Sequence, residues 1–337
     1  MRNGTSGESE PSVRELFDHP TTVFLAFVGV DCAAWLLLLC VFGWSILRHC
    51  RAVAPANAAY KTAIYFVICT PMIMATLSLA CLFFPEAMVV SSMVQSTYEA
   101  VALWKFYVAL RCLLGDVPHM HKVLGALPPK NYYSVLIFKL CCWHHGKFVM
   151  DESHFRTLRL CVLQICIVRP VVLLGSVILW SFGLYTYGNY SMSNGYLYIT
   201  IINATSLLVT MWALLVIFFA TRTILADFRI GLKFTAIKLV FLLAIVQSFV
   251  LSLYNNVFGL KGNIFTTHDQ VESWLNWLLV IEMFLLSLLF AKAFPASEYE
   301  HVPEPGSLSL SAQDSVNGFT RGSERTPLIV RAPKGFV

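Results

Sequence analysis

Six ionisable residues fall inside long apolar stretches of this 337-residue chain: Asp31, Glu99, Lys105, Arg169, Lys238 and Glu282. A charge at the centre of a hydrocarbon layer costs at least about 2.5–3.5 kcal/mol, so such groups turn inward and find partners. Three are acidic and three basic, a balance that predicts mutual neutralisation within a helical interior. Their common chemistry is binding. They either fix the register of packed helices or line a polar path for a charged solute. Glu99, Arg169 and Glu282 fall near the middle of their stretches, whereas Lys238 is close enough to one end to snorkel outward. Arg169 is followed by Pro170, which removes the amide that would have bonded the carbonyl of Cys166 and presses its ring on that turn. Helical residues rise about 1.5 Å each, so Arg169 lies about 15 Å beyond Arg159. An open turn beside a buried guanidinium marks a site or a helix junction.

Other residues extend or restrict that chemistry. Thr200, Asn203, Ser206 and Thr210 share one helical face. Such a stripe suits either interhelical hydrogen bonds or the wall of a path. Trp274 and Trp277 open the last apolar stretch ahead of Glu282, as an interface belt or as an aromatic wall at a path's mouth. Cys141-Cys142-Trp143-His144-His145 lacks the separated ligand pairs of a zinc site, so no metal is predicted. Beside a short interfacial segment, Cys141 and Cys142 are acylation candidates instead. There is no G-x-S-x-G, no H-E-x-x-H and no P-loop, so neither an enzyme, nor ATP-driven pumping, nor a cofactor is predicted. Asp31 and Glu282 would have to meet at one depth to form a hydrolytic pair, and nothing in the sequence brings them together.

The elements that must hold these groups are membrane spans. The chain is 57% hydrophobic and 13% charged, with mean hydropathy +0.68, against about 25% charged residues in soluble domains. The apolar stretches predict an all-α bundle of seven transmembrane helices at about 21–47, 62–84, 88–114, 158–184, 196–220, 230–258 and 273–294. A polar leader over 1–20 lacks the basic-then-apolar order of a cleavable signal peptide. The tail over 295–337 is rich in Ser, Pro, Glu and Gly and is predicted to be disordered. Loop Lys and Arg concentrate after the first, third and fifth spans, which places the N-terminus outside and the C-terminus in the cytoplasm. The net charge of +5 therefore reports topology, and no nucleic-acid partner is predicted. Sequons at Asn3 and Asn189 fall on the outer side, in agreement with the charge bias. Cysteines lie mainly within spans and none lies in the predicted outer loops, so no extracellular disulfide is expected.

Several short motifs occur in one order: Tyr98-Glu99-Ala100, Val168-Arg169-Pro170, Tyr187-Gly-Asn-Tyr-Ser191, Ile201-Ile-Asn203, Lys233-Phe234 with Lys238, Gln247, and Ile281-Glu282-Met283-Phe284. Together they resemble the organic solute transporter alpha / transmembrane protein 184 family over about residues 60–294, with details closer to the protein 184 branch. The resemblance implies seven spans with the N-terminus outside. It also implies facilitated diffusion of bile acids, steroid conjugates or other organic anions, alongside a small single-span beta subunit. Asn203 and Gln247 then join the buried charges in one network, and Arg169 or Lys238 meets the anionic head of a solute. Cys141-Cys142 is similar to a shortened form of the cysteine cluster that precedes the fourth span in the transporter branch. The expectation is a facilitative carrier of amphipathic organic solutes in contact with membrane lipid, acting with such a subunit or as a homo-oligomer. The alternatives are a trafficking or scaffold protein and a receptor. Against a rhodopsin-like receptor, the third span ends Leu110-Arg111-Cys112 and the seventh has no proline before Pro295.

The topology is checked by glycosylation. Asn189 is expected to carry a glycan, while Asn203-Ala-Thr205 stays unmodified inside the membrane. A glycosidase shift that persists in Asn3→Gln/Asn189→Gln contradicts this arrangement. Localisation rests on the tail, where Glu324, three intervening residues, then Leu328-Ile329 form an acidic dileucine pattern. A carboxylate meets a basic adaptor patch while two aliphatic side chains fill apolar pockets, and Pro327 keeps Thr326 extended. Delivery to the plasma membrane followed by retrieval to endosomes or lysosomes is expected. Leu328→Ala/Ile329→Ala should raise the surface-biotinylated fraction, and an unchanged fraction removes the signal.

Overall fold

A computed structural model of the chain describes residues 22–52, 57–84, 87–114, 152–185, 191–258 and 267–302. The sequence-derived sites Asn3, Cys141, Cys142, Asn189, Glu324, Leu328 and Ile329 lie outside these residues. All regular elements among the described residues are helical: α1 (Thr22–Arg51), α2 (Ala58–Ile68), α3 (Thr70–Phe83), α4 (Met88–Leu113), α5 (Glu152–Ser181), α6 (Gly195–Thr221), α7 (Ile230–Phe258) and α8 (Thr267–Ala293). Short 3-10 turns follow α6 and α8, at Ala226–Phe228 and Ala296–His301. In hydrocarbon every backbone amide and carbonyl needs an internal partner, so a long apolar stretch has little choice but helix. Five rods meet the length and apolarity needed to cross a membrane: α1, the α2–α3 pair, α5, α6 and the α8 rod. The other two, α4 and α7, have 26 and 29 residues and pack in the same bundle.

Three helices extend beyond the predicted spans at one end. α1 continues to Arg51, α5 starts at Glu152 and α8 at Thr267. Hydropathy marks the apolar part of a rod, whereas backbone bonding continues into its polar ends. Local chemistry sets several boundaries. Asn57 caps α2, its side chain accepting from the Ala59 and Tyr60 amides at 3.0 and 3.4 Å. Pro71 stands in the first turn of α3, where a missing amide is tolerated, so α2 and α3 form one rod jointed at Cys69. Pro170 lies inside a continuous α5. Gly183, at φ +70, ends α5 in the left-handed conformation, and the Leu184 amide reaches back to the Leu179 carbonyl at 3.0 Å. Gly195 opens α6 against that turn: a Cβ there would stand 2.9 Å from Leu179 Cδ1.

α4 and α8 are the hubs. α4 packs on α2, α3 and α5, and α8 packs on α1, α3 and α7, while α5 is paired with α6. Side-chain contacts give the directions. Phe27 near the start of α1 meets Trp274 and Trp277 near the start of α8, with ring centroids 5.3 and 4.8 Å apart. At the other end His49 of α1 hydrogen-bonds the carbonyl of Phe294 at 3.0 Å. α1 and α8 therefore run parallel, whereas α4 and α5, α5 and α6, and α7 and α8 run antiparallel. The core at the α8 C-terminal end is aromatic, with Tyr60, Phe106, Tyr107, Phe155, Phe234, Phe290 and Phe294 all buried. The outer faces of α1 and α5 expose Leu36, Leu37, Leu160, Ile167, Val171, Leu174 and Trp180, as expected of surfaces turned to lipid.

The segment after α8 differs from the expectation of disorder from Pro295. Ala296, Tyr299 and Val302 are buried. Tyr299 OH lies 2.8 Å from His49 Nδ1, its ring meets Tyr60 edge-on at 6.1 Å, and Glu298 pairs with Lys233. Composition misses this strap because three inward side chains suffice to anchor eight residues whose other members are polar.

Packing rather than apolarity alone decides what a side chain contributes here. Leu103→Ala, at a position with 0% exposure, should destabilise the bundle by about 2–5 kcal/mol. Leu37→Ala, at 53% exposure, should stay within about 0.5 kcal/mol of wild type. Thermal unfolding of the two variants in detergent checks the contrast.

Candidate polar solute site

One of the two ion pairs among the described residues joins α4 to α5. Arg169 Nη1 lies 3.9 Å from Glu99 Oε2, with the two side chains 11% and 14% exposed. A charge-assisted hydrogen bond would be about 2.7–2.9 Å, so the charges are paired while the donors remain largely unused. Arg169 Nε is buried and has no hydrogen-bond partner. One turn away the Cys166 thiol approaches the Ala100 carbonyl at 3.4 Å, which fixes the α4–α5 register around the pair.

α6 brings further polarity to the same height. Gln164 Nε2 donates to the Ser206 carbonyl at 3.0 Å, and Thr210 Oγ1 donates to the carbonyls of Cys161 and Ser206 at 3.2 and 3.0 Å. Continued along the antiparallel helices, that register sets Arg169 level with Ile201–Asn203. Asn203 is half-buried, and its Oδ1 has no partner. The polar stripe thus divides. Thr210 and Ser206 are buried in the α5–α6 seam, whereas Thr200 and Asn203 remain half-buried beyond it.

A second polar layer lies toward the start of α8. Gln247 of α7 donates to Glu282 Oε1 of α8, and the other carboxylate oxygen is buried without a partner. Gln95 of α4 donates to Ser78 Oγ of α3 at 2.9 Å and to the Met74 carbonyl at 3.4 Å. Asp31 of α1 is fully buried, and neither of its oxygens has a hydrogen-bond partner. The parallel α1–α8 register puts Asp31 within about a turn of the height of Glu282.

Mutual neutralisation therefore holds for one pair of the six predicted charges. Arg169 takes Glu99, but Glu282 takes an amide. Lys105 is half-buried and Lys238 exposed, and neither forms an ion pair among the described residues. The cation that is buried besides Arg169 is Lys233, 2% exposed and paired with Glu298. Sequence reasoning notes Lys233 only within a family motif and does not count it among the buried charges, since it stands near the start of a helix where a basic flank is ordinary; it passes over Glu298, which belongs to an acidic tail. Trp274 and Trp277 knit α8 to α1, with Trp277 Nε1 donating to the Phe27 carbonyl at 3.3 Å. An apolar hollow lined by Leu38, Phe42, Pro71, Met72 and Phe290 sits between α1, the Cys69 joint and α8, apart from both polar layers. Among the described residues no group of three or more His, Cys, Asp or Glu side chains could hold a metal ion.

Taken together, the layer around Arg169 offers a guanidinium with a spare donor and a free amide oxygen, held between long apolar helices. That arrangement can receive a polar or anionic head group while its apolar body lies along the helices.

Comparison with known proteins gives the family of the chain. Residues 27–299 match the family model described as organic solute transporter Ostalpha. A transmembrane protein 184 homolog of Dictyostelium discoideum is 28% identical over 203 residues, covering 60% of this chain and 39% of that protein. The chain thus spans well under half the length of this curated relative. No solved structure matches. The family match takes in every described helix but the first five residues of α1, together with Glu99, Arg169, Asn203, Gln247 and Glu282, and on that ground the chain is an integral membrane protein of the organic solute transporter Ostalpha family.

Proposed function

We propose that the protein is a facilitative carrier of amphipathic organic solutes, and that Arg169 receives an anionic head group. The observation that carries the reading is the loose Glu99–Arg169 contact of 3.9 Å with an unpartnered Nε. Glu99 keeps the guanidinium's charge matched when the site is empty, and the donors remain available for a second oxyanion. Asn203 stands at the same height to accept from a hydroxyl or amide of the solute. Bile acids, steroid conjugates and related organic anions have the required form, with one charged end and a rigid apolar body. The description of the matching family supports transport of organic solutes as the class of activity.

The same reading includes topology and company. The parallel course of α1 and α8 supports seven crossings, with the chain entering on one side and leaving on the other. Charge bias then puts the N-terminus outside. A single-span beta-type subunit is proposed as partner, and the plasma membrane with endosomal or lysosomal compartments as the residence.

Uptake of labelled taurocholate and estrone sulfate into vesicles containing the protein tests the carrier reading, with and without a beta-type partner. Absence of flux above empty vesicles in both arms removes it for these solutes. Arg169→Ala should lower flux at least tenfold and destabilise the bundle by about 3–5 kcal/mol, because Glu99 is left as an uncompensated buried charge. Arg169→Lys should keep part of the flux, since it retains the charge and loses the planar fork. Glu99→Gln/Arg169→Met should recover assembly without flux, which separates a binding role from a purely structural one. Wild-type flux in Arg169→Ala overturns the assignment.

A further inference from the structure

We propose that Lys233 is an oxyanion-binding site at the end of the bundle where the chain leaves α8, and that Glu298 is the intramolecular anion that fills it. Three observations converge there. Lys233 is 2% exposed, which is exceptional for a lysine. Its ammonium is met by the Glu298 carboxylate and lies 5.7 Å from the Phe294 ring centroid. Phe294 closes the far side, and the Arg229 guanidinium is held nearby by its Nη1 contact of 3.5 Å to the Lys292 carbonyl. The site is thus a cation set against an aromatic wall with a second cation at its edge, already occupied by a carboxylate.

The carboxylate arrives on the strap that follows α8. Pro295 ends the helix, the chain turns as a 3-10 segment, and Tyr299 and Glu298 reach different helices. Tyr299 joins His49 of α1 at 2.8 Å, and Glu298 joins Lys233 of α7. One short segment therefore ties α1, α7 and α8 together at this end. If the strap lifted alone, Lys233 would remain as a buried charge without an acid, which is strongly unfavourable. An incoming oxyanion removes that penalty by replacing one anion with another. Lifting of the strap and binding of an external carboxylate, sulfate or phosphate are then a single exchange at Lys233. The ligand is either a free amphipathic anion or the head group of an anionic lipid, since both present the same oxygens.

The test uses the full-length protein in detergent, with taurocholate, estrone sulfate and inorganic sulfate as probes. In the wild type, cleavage by a glutamate-specific protease after Glu298 and Glu300 should accelerate at least threefold at saturating probe, read by fragment mass. In Glu298→Gln, whose strap no longer supplies the anion, the probes should raise the melting temperature with an apparent affinity at least tenfold tighter than in wild type. Lys233→Met/Glu298→Leu, which replaces the pair by apolar side chains, should lose the protease response and keep only the weaker melting-temperature response, at least tenfold below that of Glu298→Gln in apparent affinity, that Arg169 alone can give. Nanodiscs containing phosphatidylserine, set against phosphatidylcholine alone, distinguish the sources. A response confined to phosphatidylserine assigns the site to a lipid head group, and a response to the soluble probes assigns it to a free anion. If wild-type cleavage is unchanged by every probe and lipid, or if the double variant responds as fully as Glu298→Gln, the Lys233–Glu298 contact is a structural ion pair and the proposal fails. None of these readouts is flux, so the proposal can fail while the carrier reading stands, and the reverse.

Discussion

Buried charge is the constraint on which this bundle depends. In a low-dielectric layer a cation must have an anion beside it, and the energetic penalty for failing this exceeds that of most packing defects. Arg169 meets the requirement through Glu99 with a 3.9 Å contact, which couples α4 to α5. That coupling needs the α4–α5 register set by Cys166 and Ala100 and the α5–α6 register set by Gln164, Ser206 and Thr210. The helices are thus indexed to one another by hydrogen bonds of side chains to neighbouring backbones. Apolar contact between rods could not set such an index, because leucine packs on leucine as well as on lipid.

The looseness of the pair has a chemical consequence. A guanidinium has five donors in a fixed fork, and a tight bidentate carboxylate would use two of them. Glu99 keeps its oxygen too far for a strong hydrogen bond, so charge is balanced while donors are left over. The same separation of charge balance from donor use distinguishes the Lys233–Glu298 contact, where the acid sits directly on the ammonium. One cation is poised for a second anion without disturbing the bundle, whereas the other gives up its acid only if the strap moves.

Architecture follows from which helices carry these groups. α4 contains Glu99 and Lys105, yet it packs on three other elements and buries Ala100, Leu103, Phe106, Tyr107 and Leu110. A hub helix is screened by neighbours along much of its length, so it can place charges on more than one of its faces. α1 and α5 are the opposite case, with broad apolar faces exposed and Asp31, Ser45, His49 and Ser176 turned inward. Asp31 is an instance, fully buried on a helix whose other side shows Leu36 and Leu37.

The sequence alone determined the helical class and the set of ionisable residues lying within helices. The physical reason is that hydrocarbon forces internal backbone bonding, so length and apolarity are enough to specify helix, and residue count specifies depth. Only the tertiary structure decided partners. Depth does not specify which way a side chain points or which helix stands opposite, and both follow from packing. So Glu99 with Arg169 emerged from the six charges, while Glu282 found Gln247 rather than a lysine. Lys238, read as a pathway cation, is exposed, whereas Lys233, five residues earlier, is buried. The strap shows the same limit at larger scale. Its composition is that of a tail, but His49 and Lys233, distant in sequence, offer partners that only the assembled bundle brings within reach of Tyr299 and Glu298.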